Sequence, residues 1–142
     1  MEQLNVQATL EKYGRGGNDN DNTNRQQQLI VLCSWMPMGH DWTAMFRLAG
    51  VDEYILIGEA DDGTCGHNWE MWGNPDFSVS NDDDNDNDDD NEVVRSPPYQ
   101  VDGYQRWDMD VLSQFQFSRF DSAVSRSCKT VSFRKKKKNN KR

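Results

Sequence analysis

Two continuous apolar runs, each closed by a bent or small-residue turn, constrain this chain more than anything else in it. Leu29-Ile30-Val31-Leu32-Cys33-Ser34 leads into Trp35-Met36-Pro37-Met38-Gly39-His40-Asp41-Trp42, and Glu53-Tyr54-Ile55-Leu56-Ile57-Gly58 leads into the acidic loop Glu59 to Gly66. Runs without polar alternation are what parallel strands covered on both faces look like. Between them Trp42, Met45, Phe46 and Leu48 mark one apolar helical face, which Gly50 closes. This is a βαβ unit, and ligands in such sheets collect at the carboxyl ends of the strands. No phosphate- or nucleotide-binding glycine motif precedes the first run. The sequence therefore marks where a site would lie and withholds half of it.

The 142 residues are enough for one domain, but three segments carry almost nothing to bury. Residues 14–28 are glycine, arginine, asparagine, aspartate and glutamine, and read as a flexible linker after an amphipathic helix over residues 1–13 built on Leu4, Val6, Ala8, Leu10 and Tyr13. Residues 80–92 are nearly pure aspartate and asparagine, with seven aspartates between Asp82 and Asp90. Residues 135–142 are a basic tail. The net charge of -8 is thus an acidic insertion set against a basic terminus, and such blocks are expected to be solvated and disordered. Net acidity argues against general nucleic-acid binding, except for weak contact through the tail. Three widely spaced cysteines form no CxxC pair, and no apolar run approaches a membrane span. A reducing compartment, cytoplasmic or nuclear, is the expectation.

Downstream, His67 to Trp72 reads as a short helix ended by Gly73-Asn74-Pro75, and Pro97-Pro98 marks another boundary. Residues 99–108 read as irregular, and Asp110 to Ser113 as one helical turn. Phe115-Gln116-Phe117-Ser118 and Lys129-Thr130-Val131-Ser132-Phe133 each alternate apolar with polar. They read as an antiparallel hairpin over 115–134, expected beside the parallel pair in the order 29–34, 53–58, 129–134, 115–120.

That order of elements resembles the second half of the class I S-adenosylmethionine-dependent methyltransferase fold, with two parallel strands followed by an antiparallel C-terminal hairpin. More narrowly, Ser34-Trp35-Met36-Pro37, Asp41-Trp42-Thr43, Phe46-Arg47, Glu53-Tyr54-Ile55-Leu56-Ile57-Gly58-Glu59 and Cys65-Gly66 look like an uncharacterised methyltransferase-like group that carries a SWMP…DWT…FR…EYxLIGE…CG pattern. The match covers most of 29–73 and 103–134. It implies a partial Rossmann-like α/β domain over 29–134, interrupted by the acidic insertion. It also implies S-adenosylmethionine as cofactor of the complete fold, with a methyl acceptor that the residues do not identify. In that family the turn after the fourth strand lines the acceptor pocket. Ser34 fits its first position, while Trp35 and Met36 stand where prolines are usual. The glycine-rich turn and acidic residue that hold the cofactor have no counterpart, since Gly14-Arg15-Gly16-Gly17 follows no strand and opens no helix. The chain reads as a fragment, inactive alone, that binds neither the cofactor nor a metal. The alternative is a non-catalytic interaction protein that works through its acidic loop and basic tail.

Candidate pocket residues are Ser34, Trp35, Met36, Pro37, Asp41 and Glu59. Each has a plainer reading. The aromatic turn caps the sheet and packs on the helix, Asp41 caps that helix, and Glu59 is a solvated loop acid. Cys33 packs as a small apolar group. Cys65, His67 and His40 lack regular ligand spacing. Asn81, Asp83, Asn85 and Glu92 fall at calcium-loop positions, but Asp86 stands where that loop needs glycine. The tail Lys135 to Lys138 matches a basic targeting signal as well as it matches a solvated end. Strand 29–34 lacks its neighbour from the complete fold, so its open edge is expected to support self-association.

Overall fold

The structure, a computed structural model, describes residues 6–13, 28–60, 64–78, 95–116 and 128–136. Residues 14–27 of the linker, the acidic insertion and all but the first two residues of the 135–142 tail lie outside the described residues. The rest is a mixed α/β arrangement built on a four-stranded sheet. In chain order come α1 (Val6–Tyr13), β1 (Ile30–Ser34), α2 (Thr43–Leu48), β2 (Glu53–Glu59), a π-helical turn (Asn68–Trp72) and a 3-10 turn (Pro75–Phe77). Then follow α3 (Pro98–Val101), β3 (Tyr104–Asp108), α4 (Asp110–Ser113) and β4 (Cys128–Lys135). No helix among the described residues is long and apolar enough to cross a membrane.

Across the sheet the strands run β1-β2-β4-β3. β1 and β2 are parallel with Leu32 opposite Ile55, and β4 runs antiparallel to both β2 and β3. The parallel pair and the third place of residues 129–134 are as the sequence led one to expect. The fourth strand is not. Residues 104–108 form it, where the sequence reads as irregular, while Phe115 lies in a turn after α4 and is 72% exposed. Residues 117–120 of the expected strand lie outside the described residues. The physical reason lies in β3 itself, which buries only Tyr104 and otherwise carries Gln105, Arg106, Trp107 and Asp108 along the rim. An edge strand can be this polar because only one flank of it is paired. It is pinned instead by polar contacts: Tyr104 Oη donates to the Val51 carbonyl (2.7 Å) and Arg106 Nη1 to the Trp72 carbonyl (2.6 Å).

Alternation of side chains gives the sheet two unlike faces. One carries Val31 and Cys33 of β1, Tyr54 and Leu56 of β2, and Val131 and Phe133 of β4, and it is covered by α2, the π turn and α3. Tyr54 stacks on Phe133 at 4.8 Å between ring centroids, and Tyr99 of α3 meets Phe133 edge-on at 4.9 Å. Val6 and Leu10 of α1 pack against this same core. The opposite face carries the row Leu32, Ile55, Ser132, Trp107, and there the expectation of strands covered on both sides does not hold. Ile30 is 49% and Leu32 66% exposed. α4 sits at the edge of β4 where β3 ends, Ser113 Oγ accepting from Thr130 N (2.9 Å), and beyond it Gln116 Nε2 donates to Thr130 Oγ1 (2.8 Å) on this face, where Thr130 and Ser132 are buried.

Candidate functional site

The carboxyl ends of β1 and β2 lie side by side, and the turns that follow them were the expected site. Trp35 continues the ladder one step past β1, its amide donating to the Ile57 carbonyl at 2.8 Å. It does so with φ at +54°, which is sterically unfavourable for a bulky side chain. Holding a tryptophan there costs on the order of 1–3 kcal/mol, and such strain persists only where the surroundings over-determine it. The strained turn aims Met36 into the core, where it is 3% exposed and its Sδ accepts from the Trp42 amide at 3.3 Å.

Asp41 stands one residue before the N-cap of α2, which is Trp42 with no capping bond from its side chain. Asp41 Oδ1 accepts from the Thr43 amide (2.8 Å) and from Thr43 Oγ1 (2.5 Å), fixing the first turn of α2. One turn on, Arg47 Nη1 donates to Thr43 Oγ1 (2.6 Å) and Arg47 Nε to Asp102 (2.7 Å), tying α2 to the end of α3. Only 5% of the Arg47 side chain is exposed. Burial works against its charge, but the Asp102 carboxylate, followed by Tyr54 and Asp41, more than restores it, so its pKa is raised. Arg47 also lies against Tyr54, whose buried hydroxyl has no hydrogen-bond partner of good geometry. Burial raises the Tyr54 pKa, and the nearby guanidinium offsets only part of that.

The second turn closes over the first. Gly39 N donates to the Gly66 carbonyl (3.4 Å) and His67 Nε2 to the Gly39 carbonyl (2.9 Å). The close approach needs a glycine at 66: its φ is +67°, and a Cβ there would stand 2.0 Å from Met71 Sδ and 3.1 Å from the His40 carbonyl oxygen. Beneath this seam, Met71 Sδ accepts from the His67 amide (3.3 Å), and Trp72 Nε1 donates to the Cys65 carbonyl (3.1 Å). Cys33 and Cys65 lie near each other in the core, both as free thiols. Burial, with Cys65 adding to it, pushes the Cys33 thiol up to about 11, so it stays protonated and unreactive at neutral pH.

The six candidates are therefore split. Ser34 and Pro37 are exposed, Trp35 and Asp41 half-buried, and Met36 and Glu59 buried. Glu59 is the sharpest departure from a solvated loop acid, being 1% exposed with its carboxylate accepting from Thr64 Oγ1 at 2.6 Å. Of the three weighed as metal ligands, His67 is held by Gly39 and Cys65 is buried, and no metal-binding group of His, Cys, Asp and Glu occurs among the described residues. Sequence reasoning missed Arg47, whose only signal was a lone cation between Phe46 and Leu48. It also missed the contact of Gly39 with Gly66, which had no signal because it joins separate turns.

The turn after β1 is filled by Met36, and the buried polar groups at the strand ends, Glu59 and Trp72 Nε1, already have partners in Thr64 and Cys65. No protein-family model matches the chain, and neither does a curated protein or a solved structure.

Proposed function

We propose that this chain is the second half of a methyltransferase-like domain, one that supplies the acceptor side and does not bind the cofactor alone. The observation that carries the reading is the strand order, with β4 running antiparallel between β2 and β3. That order is the one the resemblance implies for the last four strands of the fold, with residues 104–108 in the edge place that it gives to 115–120. The strained Trp35 adds weight, because it stands in the turn that would form the wall of an acceptor pocket. In a complete domain this half would contribute by holding an acceptor in line, an effect of proximity and alignment. The acceptor is not identified by any residue here. A cytoplasmic or nuclear setting and weak contact of the basic tail with nucleic acid belong to the same proposal.

A second reading, a non-catalytic interaction protein, draws support from the closed seam between Gly39, Gly66 and His67. Calorimetric titration with S-adenosylmethionine and with its demethylated product tests the first. No saturable binding is expected below about 1 mM, a limit corresponding to roughly 4 kcal/mol, and tighter binding would overturn the half-domain. The reading frame upstream of residue 1 separates the two readings. A strand, glycine-rich turn and helix encoded there supports the enzyme half, and their absence favours the interaction protein.

A further inference from the structure

We propose that the outer edge of β1 pairs with the same edge of a second copy of this chain, antiparallel about a two-fold axis at Leu32, joining two sheets into one. The pairing follows from where the backbone of β1 points and does not depend on the methyltransferase reading. The Leu29 carbonyl accepts from Asp52 N (2.9 Å), and Trp35 N donates to the Ile57 carbonyl (2.8 Å). In a parallel pair alternate residues face the partner strand, so Leu29, Val31, Cys33 and Trp35 bond towards β2. Ile30, Leu32 and Ser34 direct their amides and carbonyls to the other side, where the sheet ends among the described residues.

An edge of this kind selects a β-strand as its occupant, and nothing in β1 discourages one. The strand has no charge and no proline, two of the usual guards against edge pairing. The opposite edge of the sheet is guarded, since β3 carries Arg106 and Asp108 in an ion pair at 2.6 Å. The three outward residues are centred on Leu32, so antiparallel pairing sets Leu32 against its own copy and Ile30 against Ser34. Each then exchanges both hydrogen bonds with its counterpart, and no like charges meet. A two-fold axis closes this contact at a dimer, which a parallel self-pairing would not do. It also brings the exposed Ile30 and Leu32 beside the same residues of the second copy. The cost is repulsion between two chains of formal charge -8, which added salt screens.

Sedimentation equilibrium of the full chain from about 1 to 500 µM, the span in which a small interface titrates, provides the test. Monomer–dimer exchange is expected, tightening as salt is raised. Leu32→Lys should weaken it by at least ~10-fold, because like charges then oppose each other at the axis, with the melting temperature of the dilute monomer unchanged. Leu48→Lys, at an 87% exposed apolar residue on α2, should leave it unchanged. A monomer throughout, association that survives Leu32→Lys, or equal weakening by Leu48→Lys would each overturn the proposal.

Discussion

The sheet presents Tyr54, Leu56, Val131 and Phe133 to one side and Ile30, Leu32, Ile55 and Trp107 to the other. Both sets are apolar, and strand propensity does not distinguish them. Residues of the first set lie under α2, α3 and the π turn and interlock as stacked and edge-on rings. Those of the second are partly or largely open, and on that face Gln116 bonds to Thr130. The difference teaches that apolar composition provides strands, while the placement of connecting helices decides which side becomes core. It also divides the work. The covered face holds the fold together, and on the other the exposure is concentrated at Ile30, Leu32 and Trp107 while Thr130 and Ser132 are buried.

Replacement of Phe133 by Ala should give the largest effect that sharpens this contrast. It removes the ring on which Tyr54 stacks and Tyr99 rests, and should cost about 3–5 kcal/mol in urea unfolding. Leu32→Ala on the open face should change monomer stability by less than about 0.5 kcal/mol. Comparable losses at the two sites would break the distinction between core and open face.

Next in size is Gly66→Ala, where positive φ and the clash with Met71 and the His40 carbonyl combine. A loss of about 1–3 kcal/mol is expected, with the seam between the turns opening and His67 amides exchanging faster. Unchanged stability would mean that the turns do not depend on each other.

A smaller effect should appear with alkali. The Cys33 thiol is held at about 11, above its ordinary 9.0. Between those values the unfolded chain loses a proton that the folded chain keeps, so folding binds the extra proton and stability falls as pH rises. The contribution is complete below pH 9 and is lost through pH 11. Because other groups titrate there, the readout is the difference from Cys33→Ala. The wild type should fall relative to the variant over that window, and parallel curves would refute the burial of the thiol.

The least effect is expected at Tyr54→Phe. The hydroxyl is buried without a partner, so removing it should be neutral or stabilise by up to about 1 kcal/mol. Clear destabilisation would reveal a hydrogen bond to Arg47 or to an ordered water.

Much of the architecture was legible in residues 29–60 because each apolar run is long enough to be a strand and the helix between them shows its own period. The alternation of Lys129 to Phe133 likewise placed Val131 and Phe133 on one face. Residues 104–108 were not legible as a strand, since Tyr-Gln-Arg-Trp-Asp buries one side chain and is held by contacts to Val51 and Trp72, more than thirty residues away. Phe115 misled for the converse reason: alternation next to a helical turn looks like a strand whether or not a neighbour is there to pair with it. At the site, the bond from Asp41 to the start of α2 was readable because its partner is two residues away, although the N-cap itself is Trp42. The burial of Glu59 against Thr64 was not, because a carboxylate after a strand looks the same whether water or protein receives it.

By itself, then, the sequence determined the parallel pair, the strand that joins it antiparallel and the side chains able to form a core, because these follow from local periodicity and chain length. Tertiary structure alone decided which segment closed the far edge, which face of the apolar strands stayed open, and that the turns at the strand ends seal against each other. Those outcomes depend on backbone groups and close approaches between residues distant in sequence, such as Gly39 with Gly66 and Arg106 with Trp72, and residue type at either end does not encode them.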